Sequence, residues 1–257
     1  MSTRFARAAL AVAWRHLHNF AGNPSLLLPP LLLPLFLFAA FAGSLSALSD
    51  TPGFGYPGYS EFQFVFVLIE SAAFGGVFTG YSMAEDFESG FGRRIMVAAS
   101  NRGAILAGYL LAAFVRAVLT SLVVLATALV GGVDLKGSPA DILALFALAL
   151  LLNLAATLFT AGVALRFRTV QSSPLMQVPM FVVLFLAPVF VPRALLTGWL
   201  HWAAGINPIT VVLEAGRGLL VGRPERVAHA FGLTAAMAAL LVPWTLAGLR
   251  RAEREAA

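Results

Sequence analysis

The sequence predicts an all-α integral membrane protein. The expected architecture is an N-terminal amphipathic interfacial helix, six transmembrane helices, and an outer-leaflet re-entrant helical hairpin between spans 5 and 6. Three observations carry that expectation. Of the 257 residues, 60% are hydrophobic and 11% are charged, against roughly 45–50% and about 25% in soluble domains. Apolar runs recur along the chain at the length a membrane helix needs, about 20 residues. The charges fall between those runs rather than within them. A chain with so little polar surface cannot be a soluble enzyme or nucleic-acid binder, and it is too apolar to be disordered. Helices are expected rather than a barrel, because the alternating ten-residue segments of a barrel are absent and lipid requires each segment to satisfy its own backbone.

The whole chain, 1–257, reads as one domain. Residues 4–20 place Arg4, Arg7, Ala11, Arg15 and His18 on one helical face and Phe5, Ala9, Val12, Ala13, Leu17 and Phe20 on the other. That pattern suits a helix lying flat in the interface, with Arg toward phosphates and the apolar face toward acyl chains. Three Arg and two His within the first 18 residues argue against a cleavable signal. Asn23-Pro24 ends this helix. The spans are expected at 24–47, 62–83, 104–130, 141–165, 174–191 and 227–249, with a cytoplasmic loop at 84–103.

Orientation follows from the basic residues. Sixteen of the 17 are Arg, and the net charge is +5. Eleven lie in the N-terminal segment, the loops after spans 2 and 4, and the tail; five lie on the opposite side, and Arg116 lies within span 3. The positive-inside rule then puts both termini in the cytoplasm of a multi-pass protein of a bacterial plasma membrane. Residues 192–226 carry four Arg on the outer side, around an apolar stretch interrupted at Asn207-Pro208. They read as one or two short helices that dip into the outer leaflet without crossing. A seventh span is the competing reading, and the basic tail argues against it.

Much chemistry is missing. There is no Cys. The single Lys, Lys136, stands between Leu135 and Gly137, outside any Walker A context. Gly80-Tyr81-Ser82-Met83-Ala84 lacks the last Gly of a nucleophile elbow. None of His16, His18, His201 and His229 stands at metal-ligand spacing. No catalytic residue, metal site or resident cofactor is expected, and no nucleic acid partner.

Three constellations remain. The first is Glu85, Asp86 and Glu88, then Gly90, Arg93 and Arg94, closed by Ser100, Asn101 and Arg102. This charged turn is longer than a connector needs. The apolar Ile95, Met96 and Val97 within it are suited to dock in a partner's groove. The second is intramembrane polarity: Glu70 in span 2 and Arg116 in span 3, expected to pair or to line a path, with Asn153 and Gln177 as weaker members. The third is Gly76-x-x-x-Gly80, whose close-packing geometry reads best as contact within the subunit.

The chain resembles the membrane subunit of a type-2 ABC exporter, close to the antibiotic-resistance, daunorubicin-type permeases. The resemblance rests on the amphipathic helix leading into six spans and on the acidic-Gly-Arg loop at 85–94. It rests most specifically on Pro192 and Trp199, followed by Asn207-Pro208, Glu214, Arg217 and Gly222. It implies that 85–102 is the coupling element meeting a separate ATP-hydrolysing subunit, which carries the ATP and Mg. It also implies that 192–226 is the re-entrant hairpin, and that two copies of this chain pair with two ATPase subunits. The cargo would be an amphipathic drug, natural product or lipid-like molecule, passing between the copies and out of the cell. The alternative from another class is a stand-alone ion-coupled secondary transporter or channel. It would call for internal repeats, and the halves 1–130 and 131–257 show no self-similarity.

Overall fold

The computed structural model describes residues 3–98 and 101–256; Ser100 of the expected loop closure lies outside them. Among the described residues the fold is helical, with no strand. Ten α-helices follow in order: α1 (Thr3–Gly22), α2 (Pro24–Ser44), α3 (Tyr59–Glu88), α4 (Phe91–Ala98), α5 (Gly103–Val130), α6 (Pro139–Phe167), α7 (Ser173–Phe185), α8 (Gly198–Ile206), α9 (Pro208–Leu220) and α10 (Val227–Ala256). Helices α3, α5 and α6 and the Val227–Arg254 stretch of α10 are long and apolar enough to cross a membrane; Leu32–Ser44 of α2 and the short α7 are apolar as well.

The helix starts follow local chemistry. Ser138 caps α6, its hydroxyl accepting from the Asp141 amide while the Asp141 carboxylate accepts from the Ser138 amide, and Pro139 fills the first helical position. Asn207 caps α9, its Oδ1 accepting from the Ile209 amide at 2.9 Å.

α3 is the central helix, buried along nearly its whole length. It runs parallel to α6: Asn153 donates to the Ala72 carbonyl at 2.8 Å and Thr160 to the Gly76 carbonyl at 2.7 Å. Glycine makes this approach possible. A Cβ on Gly76 would stand 2.7 Å from the Ala156–Thr157 backbone, and one on Gly80 would stand 2.5 Å from the Thr160 side chain. The Gly-x-x-x-Gly segment therefore packs two helices of one subunit. α6 in turn runs parallel to α10, where Thr245 donates to the Leu158 carbonyl and Trp244 to that of Phe159.

α5 and α7 run against α3. Tyr109 and Arg116 of α5 meet Asp86 and Thr79, and Phe181 and Phe185 of α7 meet Phe74 and Phe66. With this alternation, Phe5 near Gly103 and Glu253 near Arg102 put the two ends of the described chain at one pole, together with α4. The α8–α9 hairpin lies at the opposite pole.

Two expected elements are corrected. The fifth span was expected to be helical over 174–191, but α7 ends at Phe185. Its 13 residues rise only about 20 Å, and 186–192 continue as turns. The apolar face of α1 was expected to meet acyl chains. It packs on α5 instead, with Ala9, Ala13 and Phe20 buried and Val12 seated on Gly108, where a Cβ would stand 2.6 Å from the Val12 Cβ. Leu10 and Trp14 are the large apolar side chains that α1 leaves exposed. α5 offers a preformed apolar groove, so the helix needs no lipid to cover that face.

Candidate functional site

At the α4 pole, the sequence-predicted acids have separate fates. Asp86 is only 6% exposed. Arg15 of α1 forks onto it, with Nη1 to Oδ2 at 2.9 Å and Nη2 to Oδ1 at 2.7 Å. The Tyr109 hydroxyl donates to Oδ2 at 2.7 Å, and His16 Nε2 lies 3.1 Å from the same oxygen. The His16 ring packs on Tyr109 at 4.3 Å, its Nδ1 lies 3.2 Å from the Ser82 hydroxyl, and the Arg15 guanidinium stacks on Phe91 at 3.7 Å. A bidentate Arg–carboxylate pair is the strongest common polar contact. The carboxylate's hydrogen bond raises the Arg15 pKa above its ordinary value, against the opposing effect of burial. Asp86 thus joins α1, α3 and α5 and presents nothing to a partner. This corrects two expectations: Asp86 as a surface coupling residue and Arg15 as a phosphate-facing one.

Glu88 is also engaged within the subunit. Its Oε2 accepts from the Val170 amide at 2.6 Å and from the Thr169 hydroxyl at 3.3 Å, tying the end of α3 to the start of α7. Arg102 donates to the Met96 carbonyl at 3.1 Å and stands 3.8 Å from Glu253 of α10. Gly90 makes the turn into α4 with φ +78°, the left-handed conformation that favours glycine at a helix C-terminus. The turn leaves Glu85, Arg93 and Arg94 exposed. The expected apolar patch is narrower than the sequence suggests: Met96 is buried, Ile95 is half-buried, and only Val97 stands out. α4 therefore presents two cations and one valine from a base fixed by Met96, Glu88 and Arg102.

The intramembrane residues do not form the expected pair. Arg116 donates to the Thr79 hydroxyl and lies 5.4 Å from the Phe20 ring. Glu70 stands nine residues before Thr79, about 13 Å along the helix. It is 1% exposed, and its Oε2 has no hydrogen-bond partner. The one-turn offsets of antiparallel helices permitted a Glu70–Arg116 contact, but the packing register set by Asp86 and Tyr109 excludes it. Asn153 binds the α3 backbone. Of the four candidates, Arg116 and Gln177 share a cavity of about 860 Å³ between α1, α3, α5 and α7, and Glu70 and Asn153 do not line it.

At the hairpin pole, Asn207 Nδ2 donates to the Val183 carbonyl at 2.6 Å, so the tip of the hairpin reaches down to α7. α9 then climbs back until the Leu220 carbonyl accepts from the Gly137 amide at 2.8 Å. α8 and α9 thus form a helical hairpin with arms of 9 and 13 residues, each shorter than a membrane-crossing helix needs. Arg217 is 1% exposed. Its Nε donates to the Phe62 carbonyl at 3.2 Å and its Nη1 to the Pro188 carbonyl at 2.8 Å, while its guanidinium stacks 3.3 Å over the Phe62 ring. Pro188 lies in the turns where α7 has ended, and the Tyr59 hydroxyl donates to Phe190 in the same segment at 3.1 Å. Irregular backbone buried at this depth needs such partners. Glu214 faces Arg226 at 3.8 Å on the rim of a second cavity of about 900 Å³.

Sequence reasoning missed His16, Tyr109 and Glu253. Tyr109 carried a readable signal: a hydroxyl in an otherwise apolar run seeks a partner. Among the described residues, no group of His, Asp and Glu could hold a metal ion.

A family model described as ABC-2 type transporter matches residues 7–221. No curated protein matches the chain.

Proposed function

The chain belongs to the ABC-2 type transporter family, and from that membership we propose an exporter in which two copies of this chain work with two ATPase subunits. Members of the family are the membrane permease and not the ATPase, so the chain is a permease subunit that needs a separate ATP-binding partner. In the proposed assembly ATP and Mg²⁺ belong to that partner. The α4 pole faces the cytoplasm of a bacterial cell, in keeping with its excess of Arg. The cargo is an amphipathic drug, natural product or lipid-like molecule that enters from the inner leaflet and leaves outside.

One observation carries the coupling role: α4 exposes Arg93, Arg94 and Val97 while its Met96 is buried and the Met96 carbonyl accepts from Arg102, which stands 3.8 Å from Glu253 of α10. A push on such a helix reaches α3 through the Gly90 turn and α10 through Arg102, and α3 carries it to the start of α7 through Glu88, which is what biasing two packings of a bundle requires. Gly90 and the tie made by Glu88 hold this element in place, and Glu85 flanks it. The alternative of a stand-alone ion-coupled transporter gives α4 no reason to present an anchored cationic face.

The test is co-purification of the chain with its cognate ATPase subunit. The double substitution Arg93→Glu, Arg94→Glu should abolish association or cut cargo-stimulated ATP hydrolysis about tenfold or more, with the unfolding midpoint of the chain unchanged. In inverted vesicles, ATP should drive cargo accumulation. Wild-type association and coupling in the doubly reversed variant, or transport by the chain alone on an ion gradient, would sink this reading.

A further inference from the structure

The cavity at the α4 pole holds a cation without a counter-charge. Among the described residues, no carboxylate lies within ion-pair distance of Arg116; its partners are the Thr79 hydroxyl and the Phe20 ring. The two acids that line the cavity cannot neutralise it. Asp86 lies seven residues beyond Thr79, about 10 Å along α3, and is already committed to Arg15 and Tyr109. Glu85 stands exposed at the same end. Glu70 lies in the other direction and does not line the cavity. A guanidinium in a membrane helix is costly unless it is paired or faces a polar cavity. Here the fold supplies the cavity and withholds the anion.

We propose that Arg116 anchors a binding site for an anionic amphiphile, a molecule with an alkyl or aryl body and one carboxylate or phosphate group. The rest of the lining fits that chemistry. Asn19 and Gln177 bring amide donors and are exposed, so the site is reachable. Phe20, Val77 and Phe78 form an apolar wall beside the guanidinium. About 860 Å³ lies in the range of small-ligand pockets, about 300–1,000 Å³. A cationic cargo would meet Arg116 as a like charge, and a wholly neutral one would leave its charge unmatched.

Two sources share this chemistry, a resident phospholipid headgroup and the transported cargo. The cargo assignment rests on the exporter reading; the binding site itself does not. The first measurement therefore uses the purified full chain in a neutral maltoside detergent, titrated by calorimetry with octyl phosphate and with octyltrimethylammonium. Wild type should bind the phosphate about tenfold or more tightly than the ammonium. Arg116→Gln should erase that preference and Arg116→Lys should keep most of it. Gln177→Leu, at an exposed position, should weaken phosphate binding by a smaller factor and checks the site without touching the half-buried cation. Equal phosphate binding by wild type and Arg116→Gln, or a preference for the ammonium, overturns the proposal.

The second measurement separates the sources in the complete complex with its ATPase subunit, in phosphatidylcholine nanodiscs. Stimulation of ATP hydrolysis by octyl phosphate, lost in Arg116→Gln, identifies the anion as cargo. Phosphatidylglycerol that co-purifies with wild type and not with Arg116→Gln identifies it as resident lipid. Octyl phosphate binding with no stimulation leaves the anion site standing and removes only the reading of this cavity as the cargo entrance.

Discussion

Asp86 at one pole and Arg217 at the other are both buried charges, and the fold uses them differently. At the α4 pole, Asp86 is matched by an opposite charge, a phenol and an imidazole, all on side chains. At the hairpin pole, Arg217 meets no carboxylate among its hydrogen-bond partners; it serves two backbone carbonyls and two aromatic faces, Phe62 and Tyr56. The first arrangement fastens finished helices to one another. The second supplies a side-chain donor to backbone beyond the end of α7, at the Pro188 carbonyl, whose partner in a continued helix would be residue 192, a proline with no N–H. A buried ion pair ties side chain to side chain, whereas a buried cation among carbonyls supports irregular backbone.

That contrast can be broken, starting with the larger effect. Arg217→Ala should lower stability in detergent by about 3 kcal/mol or more, since the Pro188 carbonyl loses its donor at about 1–3 kcal/mol and a large buried side chain is removed from beside Phe62. Arg217→Lys should recover little of this, because an ammonium neither forks nor stacks. Equal stability of wild type and Arg217→Lys would show that only the charge matters. Asp86→Asn should cost less, about 1–3 kcal/mol, because Arg15 keeps partial access to solvent. Combined with Arg15→Gln in a double-mutant cycle, it should show a coupling of about 1 kcal/mol or more; strict additivity would mean that the fork is decorative. Gly90→Ala is the smallest expected effect, about 1 kcal/mol from a left-handed backbone. Its readout is weakened ATPase coupling at nearly unchanged melting.

The membrane class, the order of elements and the hairpin were legible in the sequence, because apolar runs, Asn207-Pro208 and the distribution of Arg depend on local pattern alone. The helices α3, α5 and α6 begin and end within about five residues of the apolar runs read from the sequence. The early end of α7 was legible in part: Pro188 and Pro192 mark a stop just beyond Phe185, but residues 186–192 are as apolar as the helix before them. What the sequence did not show is the partner of the irregular backbone, Arg217, almost 30 residues away. The candidate site was legible as residue types and not as partnerships. Asp86 and Arg93 both read as exposed charged residues in one dimension, yet one is folded inward against Arg15 and Tyr109 on other helices and the other is left outside. Arg15 was read by helical phase as phosphate-facing, and a long side chain at the edge of a face can turn either way. The Glu70–Arg116 pairing failed because helix register is a property of packing and not of composition.

One feature of the lower contacts reaches across the whole molecule. The segment from Val170 through Phe185 is held at its first amide by Glu88, near its far end by Asn207 through the Val183 carbonyl, and just beyond that end by Arg217 through Pro188. The first clamp comes from the α4 pole and the other two from the hairpin pole. α7 is thus a short rod pinned at both tips, too brief to absorb a displacement by bending over many turns. The two poles stand mechanically in series, and the compliance between them is set by a length of about 20 Å and by the one internal proline, Pro179.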